Sequence, residues 1–281
     1  MRKEELDIFI KQAVEGDKIA LEKVLMEVND FVFNLSLRML GNISDAQDAT
    51  QDILMKIMMK LSTFQNQSHF HTWVYRLASH YLIDYKKSMF AKHPLNFEFY
   101  ANDIQAGYID SPEELIGLNK EVLAKELKLS CTNVMLQCLD PMSRCVFILG
   151  TMFKINSQLA SEILDISAQN YRQILSRSRK KMRQFLSEYC GLSGSGCCQC
   201  ERRLCYAMKQ HRLDPSHLEY LTLQQLDESL LEEYLETMER FDDEMNVFEQ
   251  LPQYQSQTDI KEFIFHIVHS AHMKKMMEKE F

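Results

Sequence analysis

An all-α chain is what this sequence predicts, and three observations carry the expectation. Only eight of its 281 residues are Gly and five are Pro, so helix-breaking residues are scarce and helix formers dominate. Apolar residues recur at three- and four-residue spacing along most of the chain. Capping and stop residues fall between those runs rather than within them. The length allows two domains or three. No apolar stretch is long enough to span a bilayer, and the start MRKEELDIFIKQ reads as neither a secretory nor a mitochondrial-type leader. A cytoplasmic protein with no membrane association is therefore expected, its eight Cys reduced rather than paired. The net charge of −8 and pI near 5.6 argue against nucleic-acid binding over the whole surface. A Gly-rich phosphate loop, HExxH and GxSxG are all missing, so no enzyme is expected.

The first domain is read over residues 1–92. Leu6, Ile8, Phe9 and Ala13, then Ile19, Leu21, Val24 and Leu25, mark two short amphipathic helices broken at Gly16-Asp17. A longer apolar helix is expected from Phe31 to Leu40, ended by Gly41. Ser44 is positioned to cap the next helix, with Gln47 at the capping-box position. That helix is acidic at its start (Asp45, Asp48, Asp52), which suits its macrodipole, and its back face is Ile53, Ile57, Met58 and Leu61. A polar loop, Ser62 to Ser68, then leads into a helix carrying Phe70, Trp73, Tyr75, Arg76, His80, Tyr81, Tyr85, Lys86 and Lys87. Aromatics interleaved with bases provide what single-stranded DNA needs, flat faces for stacking and cations for phosphates.

Residues 93–112 lose clean periodicity and read as an acidic linker, with Ser111-Pro112-Glu113-Glu114 capping a helix of about 113–129. The second domain is read over 113–189. Pro141 starts a helix; Asn156 caps a short one carrying Leu159, Ile163 and Leu164; Asp165 suits a left-handed turn; Ser167 caps a third with Tyr171, Ile174, Leu175, Met182 and Leu186 inward. Short helix, tight turn and longer polar helix make a helix-turn-helix. From Met142 to Leu186 eight basic residues face two acidic ones, a net of +6 that reverses the sign of the whole chain. Cys131, Cys138 and Cys145 are read as small buried apolar residues.

The two motifs together carry a resemblance. DAQDATQDILMKIMMKL followed by SHFHTWVYRLASHYLIDYKK resembles region 2 of the sigma-70 family in its extracytoplasmic-function (ECF) group, and LDPMSRCVFILG…LASEILDISAQNYRQILSRSRKKMRQFL resembles region 4. The resemblance implies an RNA polymerase sigma factor that binds core polymerase, recognises and melts promoter DNA, and in some members answers to an anti-sigma factor. It implies that Asp45, Asp48, Gln51 and Asp52 face the β′ clamp of polymerase. The Ser62–Phe70 loop would capture an unpaired base of the −10 element, with Phe70, Trp73, Arg76, His80, Lys86 and Lys87 along the melted strand. Gln169, Asn170, Arg172, Gln173, Arg177, Arg179 and Lys180 on the third helix would read the −35 element. This chain departs from the family pattern at His71 and Ser79, where Arg is frequent, at His80, where Asn is frequent, and at Ile174, where a basic residue is frequent. The other reading of the same motifs is a helix-turn-helix regulator that binds DNA without core polymerase; the acidic Asp45–Asp52 face discriminates, since a plain regulator has no use for it.

Beyond Tyr189 the chain exceeds that two-domain plan. In residues 190–218, Cys190 is followed by GLSGSG, a flexible hinge, and then by Cys197, Cys198, Cys200, Cys205, His211 and His217. One of Cys197 or Cys198 with Cys200, Cys205 and His211 supplies four zinc-type ligands, although the spacing is not that of a knuckle; a redox-sensing thiol cluster is the rival reading. Residues 219–281 are an acidic helical extension. Between Glu219 and Glu262 thirteen acidic residues face two basic ones, a net of −11. Leu223 to Met238 are spaced as a helix, Pro252 ends the run, and Asp259 caps a last helix with Phe263, Ile264, Ile267 and Val268. Joined by a hinge to a basic domain, this module is expected either to meet the basic face or polymerase, or only to aid solubility with its acids in water.

Overall fold

A computed structural model describes residues 2–64, 68–85, 92, 95–107, 115–191, 198–226, 246–249 and 251–269. Helix α1 (Lys3–Val14) leads into α2 (Lys18–Leu40), whose start is fixed by Asp17: its carboxylate accepts the amides of Ile19 at 2.8 Å and Ala20 at 3.2 Å. The two helices expected between Ile19 and Leu40 are thus one, because nothing between Lys18 and Leu40 breaks the ladder. Gly41 ends it at φ 78°, a left-handed conformation that costs Gly nothing sterically. Helix α3 (Ile43–Lys60) is capped by Asn42, not Ser44: the Asp45 amide donates to Asn42 Oδ1 at 2.8 Å. Asn42 is in extended backbone immediately before the first turn, so its side chain reaches the orphan amides first, and Ser44 becomes part of that turn. Helix α4 (Phe70–Ile83) completes a four-helix unit whose core includes Val24, Val28, Ile53, Ile57, Val74 and Ala78.

The expected linker contains a helix, α5 (Phe97–Ala106), capped by Asn96. Tyr100 and Ile104 are buried, and Tyr100 stacks on Phe185 with centroids 5.6 Å apart and planes 10° apart. Its acids hid a short apolar stripe. The helix expected at 113–129 is α6 (Lys120–Leu136), capped by Asn119; residues 111–114 lie outside the described part. Then come α7 (Pro141–Phe147), a π-helical turn (Ile148–Met152), α8 (Ser157–Leu164) and α9 (Ala168–Tyr189).

The C-terminal segments are packed onto this body. Helix α10 (Leu204–Lys209) forms a second apolar cluster with Leu115, Leu123 and Leu127. The buried Glu126 carboxylate accepts three consecutive amides, Glu219 (2.8 Å), Tyr220 (2.8 Å) and Leu221 (2.9 Å). Leu223 and Leu226 stand in turns rather than a helix, and the rest of the expected run to Met238 lies outside the described residues. Further on are α11 (Asn246–Glu249) and α12 (Ile260–His269), where Asp259 accepts the amides of Lys261 and Glu262 as its spacing predicted. The described residues contain no helix long and apolar enough to cross a membrane.

A buried polar knot pins α5 to α10. Asp103 accepts from Arg203 (3.0 Å), Arg212 (2.7 Å) and the Tyr206 hydroxyl (2.7 Å). Burial alone would raise the Asp103 carboxyl, but the hydrogen bonds from Arg212 and Tyr206 and the guanidinium charges hold it below the ordinary 3.8. With the folded-state value depressed, the stabilisation is present above the unfolded value and lost as pH falls through the folded one. Asp103→Asn is expected to cost about 3 kcal/mol near neutral pH, because it leaves two guanidinium groups without their carboxylate. The gap between variant and wild type should narrow below about pH 4, which thermal melts across acidic pH check.

Candidate nucleic-acid interface

The helix-turn-helix is assembled by the residues the sequence singled out. Asn156 Oδ1 accepts the Leu159 amide at 3.0 Å, Ser167 Oγ accepts the Asn170 amide at 3.1 Å, and Asp165 takes φ 54° at the turn. Ala160, Ile163, Leu164, Tyr171, Leu175 and Met182 are buried, and Ile174 is partly so. Gly150 permits the close crossing of the π turn on α9: a Cβ there would lie 2.5 Å from the Tyr171 hydroxyl and 2.7 Å from Leu175 Cδ2. On the opposite side of α9, Gln169, Asn170, Arg172, Gln173, Arg177 and Lys180 are exposed. A cleft of about 860 Å³ is lined by Lys154, Arg172, Arg179, Lys180 and Arg183. Within it Arg179 is partly committed, donating to Thr151 Oγ1 at 3.0 Å and the Gly150 carbonyl at 2.9 Å. Arg172 donates to Ser157 Oγ at 3.2 Å and remains exposed. The net +6 of this stretch overstates its surface charge, since Arg144 is buried.

In the first unit, Asp48 and Gln51 are exposed on α3, while Asp45 and Asp52 are partly buried. Asp45 accepts from Asn42 Nδ2 at 2.7 Å, and Asp52 accepts the Tyr81 hydroxyl of α4. Burial, then the Asp52 hydrogen bond, raises the Tyr81 phenol; Tyr85 is pushed up to about 12 by burial and the charges of Asp45, Asp48 and Asp52. On α4, Phe70 is buried, flanked by Phe64 (centroids 5.4 Å) and by Trp73, whose ring stacks at 5.8 Å and 26°. Trp73 is partly exposed, so of the two rings it presents a face beside the loop. Lys86, Lys87 and loop residues 65–67 lie outside the described part.

The two candidate surfaces meet. Arg76 Nη2 lies 2.6 Å from Asp165 Oδ1, and His80 Nε2 lies 3.3 Å from Asp165 Oδ2, so α4 is ion-paired to the turn of the helix-turn-helix. All three side chains are about half exposed, which limits such a pair to about 1 kcal/mol. Cys145 of α7 is fully buried, and α7 packs directly on α4.

Among the described residues the expected metal ligands do not converge. Cys197 lies outside the described residues; Cys205 faces the second apolar cluster; Cys200 is half-buried; His211 is exposed at φ 54°. Among the described residues no three His, Cys, Asp or Glu side chains gather as a metal site. Burial pushes the Cys198 thiol up to about 12 and raises Cys200 and Cys131.

Sequence reading missed two sets of residues. Arg144 donates to the carbonyls of Leu136 (3.1 Å), Gln137 (3.2 Å) and Leu139 (2.9 Å) after α6 and to that of Met39 (2.6 Å) in α2, a cation closing two helix C-termini. Burial pulls its guanidinium down to about 10. The second set is a polar stripe on α2, Asp30, Asn34 and Arg38, visible in sequence as polar residues every fourth position in an otherwise apolar helix.

Residues 25–89, which span most of α2 and all of α3 and α4, match the family model described as sigma-70 region 2. The ECF RNA polymerase sigma factor SigW of Bacillus subtilis (strain 168) is 25% identical over 179 residues, covering 64% of this chain and 95% of SigW. The RNA polymerase sigma-H factor of Pseudomonas aeruginosa is 29% identical over 69 residues, 25% of this chain and 36% of that one. Among solved structures, one of CnrH in complex with the cytosolic domain of CnrY shares 18% identity at a TM-score of 0.47, covering 64% of this chain and 95% of CnrH. Residues 25–89 thus carry a sigma-70 region 2, and the chain is similar along nearly all of SigW to an ECF RNA polymerase sigma factor.

Proposed function

We propose that this sigma factor binds core polymerase through the exposed acidic start of α3, at Asp48 and Gln51, and divides promoter reading between α4 and α9. The observation that carries the reading is the union, in one chain, of a region 2 unit with a downstream helix-turn-helix whose recognition helix is polar and basic on its exposed side. In this reading α9 enters the major groove of the −35 element. Arg172, Arg177 and Lys180 contact phosphates and base edges, with Gln169 and Gln173 supplying amide donors and acceptors. Trp73 and Arg76 lie along the melted non-template strand, where stacking and phosphate contact hold bases out of the duplex. No bond chemistry is required: opening is driven by contacts that the single strand makes and the duplex does not. An anti-sigma partner is compatible with the family and adds nothing to this mechanism.

The test separates the two surfaces in reconstituted holoenzyme. Arg172→Ala with Arg177→Ala is expected to weaken upstream duplex binding and to lower the salt slope by about one for each phosphate no longer neutralised. Trp73→Ala is expected to spare that binding and to reduce opening, read as permanganate reactivity of unpaired thymines, by about tenfold. Equal effects of both changes on both assays would contradict the division.

A further inference from the structure

The polar stripe of α2 has a partner at the far end of the chain. Residues 252–256 run extended and antiparallel across it, and the hydrogen bonds are in register. Arg38 donates to the Pro252 carbonyl. Asn34 Nδ2 donates to the Tyr254 carbonyl at 2.7 Å, and the Tyr254 amide donates back to Asn34 Oδ1 at 2.9 Å. The Ser256 amide donates to Asp30 Oδ1 at 2.7 Å. Four residues of helix advance about 6 Å and two of extended chain about 6.6 Å, so every fourth side chain of α2 meets every second peptide of the segment. An amide that pairs with both polar groups of one peptide, as Asn34 does, replaces a neighbouring β-strand for that residue.

The same segment grips the other domain. Phe248 is fully buried edge-on against Phe147 of α7 (5.2 Å), and Glu249 pairs with Lys154, just before the helix-turn-helix, at 3.3 Å. At its other end α12 packs on α2, with Ile260, Phe263, Ile264 and Ile267 buried. The segment therefore ties α2 to α7 and to Lys154, just before α8.

That closed arrangement and promoter reading exclude each other. Elements centred about 25 base pairs apart are separated by roughly 85 Å along the duplex at about 3.4 Å per step. Helix α9 is 22 residues, about 33 Å, and its turn is ion-paired to the −10-reading helix. We propose that residues 248–267 are a cis-acting strap that holds the factor closed and autoinhibited, and that polymerase engagement requires its release. The proposal rests on the division of promoter reading between α4 and α9, and it differs from charge masking of α9: the strap acts by holding the domains together, through α2 and α7.

Cys145 reports the closed state, because it is fully buried on α7, which packs against α4. Its alkylation in the full-length free chain, mapped by peptide mass spectrometry, is expected to quicken about tenfold in Phe248→Ala and in Glu249→Lys, with far-UV helicity retained. Affinity for core polymerase should tighten by a similar factor, as the competent fraction rises. Combining Lys154→Glu with Glu249→Lys restores the ion pair in reverse and should return Cys145 to slow labelling. Unchanged Cys145 labelling in both strap variants would overturn the proposal. Faster labelling with unchanged polymerase affinity would also overturn it, leaving the strap as a brace without inhibitory effect. Wild-type affinity for core polymerase is measured alongside: if neither wild type nor variants bind, the reading of α3 fails, whereas binding without any strap effect fails only the strap.

Discussion

Asp48→Arg combined with Gln51→Arg is expected to eliminate association with core RNA polymerase while leaving the fold intact. Both side chains are exposed on α3, near its acidic start, so the substitution removes no internal packing. It replaces one negative charge with two positive ones, and like charges brought against the basic partner surface that the reading requires cost several kcal/mol. Asp52 is left in place because it accepts the Tyr81 hydroxyl of α4; changing it would confound binding with stability. Co-purification with core polymerase checks the result, with thermal melting as the control. Wild-type recovery of the double variant would remove α3 from the interface.

Arg144→Ala carries the largest expected stability effect. One guanidinium satisfies four backbone carbonyls, those of Leu136, Gln137 and Leu139 at the end of α6 and that of Met39 in α2, although Leu136 also accepts the Leu139 amide at 3.1 Å. Truncation leaves buried acceptors unpaired and opens a cavity the size of the side chain, for a loss of about 3–5 kcal/mol. For a chain of this length that lowers the melting temperature on the order of 10 °C. Arg144→Lys should recover only part, since an ammonium carries the charge but not the fork that reaches four oxygens. Far-UV circular dichroism melts of the three proteins check the order.

What the sequence made legible was local. Asn156, Asp165 and Ser167 could be placed because cap and turn chemistry depends on a few adjacent residues, and the helix-turn-helix followed from them. The cap of α3 was misplaced by two residues because Asn42 and Ser44 are both competent caps, and only the backbone at Asn42 decides between them. Helix α5 was overlooked because its apolar stripe is short and closes against Phe185 and Cys131, far along the chain. In the Cys/His segment spacing alone could not place the thiols: Cys205 packs in an apolar cluster, and Cys197 lies outside the described residues. The strap was least legible of all. Its signal is divided between a polar stripe at residues 30–38 and an extended segment at 252–256, and no local pattern links them. The buried Arg38, which a solvated face would not have required, is the clearest mark of it in the sequence.

Run-off transcription on fragmented genomic DNA, with core polymerase in the presence and absence of the chain, tests the central claim most directly. The expected result is a set of defined start sites that appear only with the chain and that share sequence near both −10 and −35. Arg172→Ala with Arg177→Ala should weaken the upstream preference, and Trp73→Ala the yield at every site. A chain that binds core polymerase without directing it to any defined start site would contradict the account.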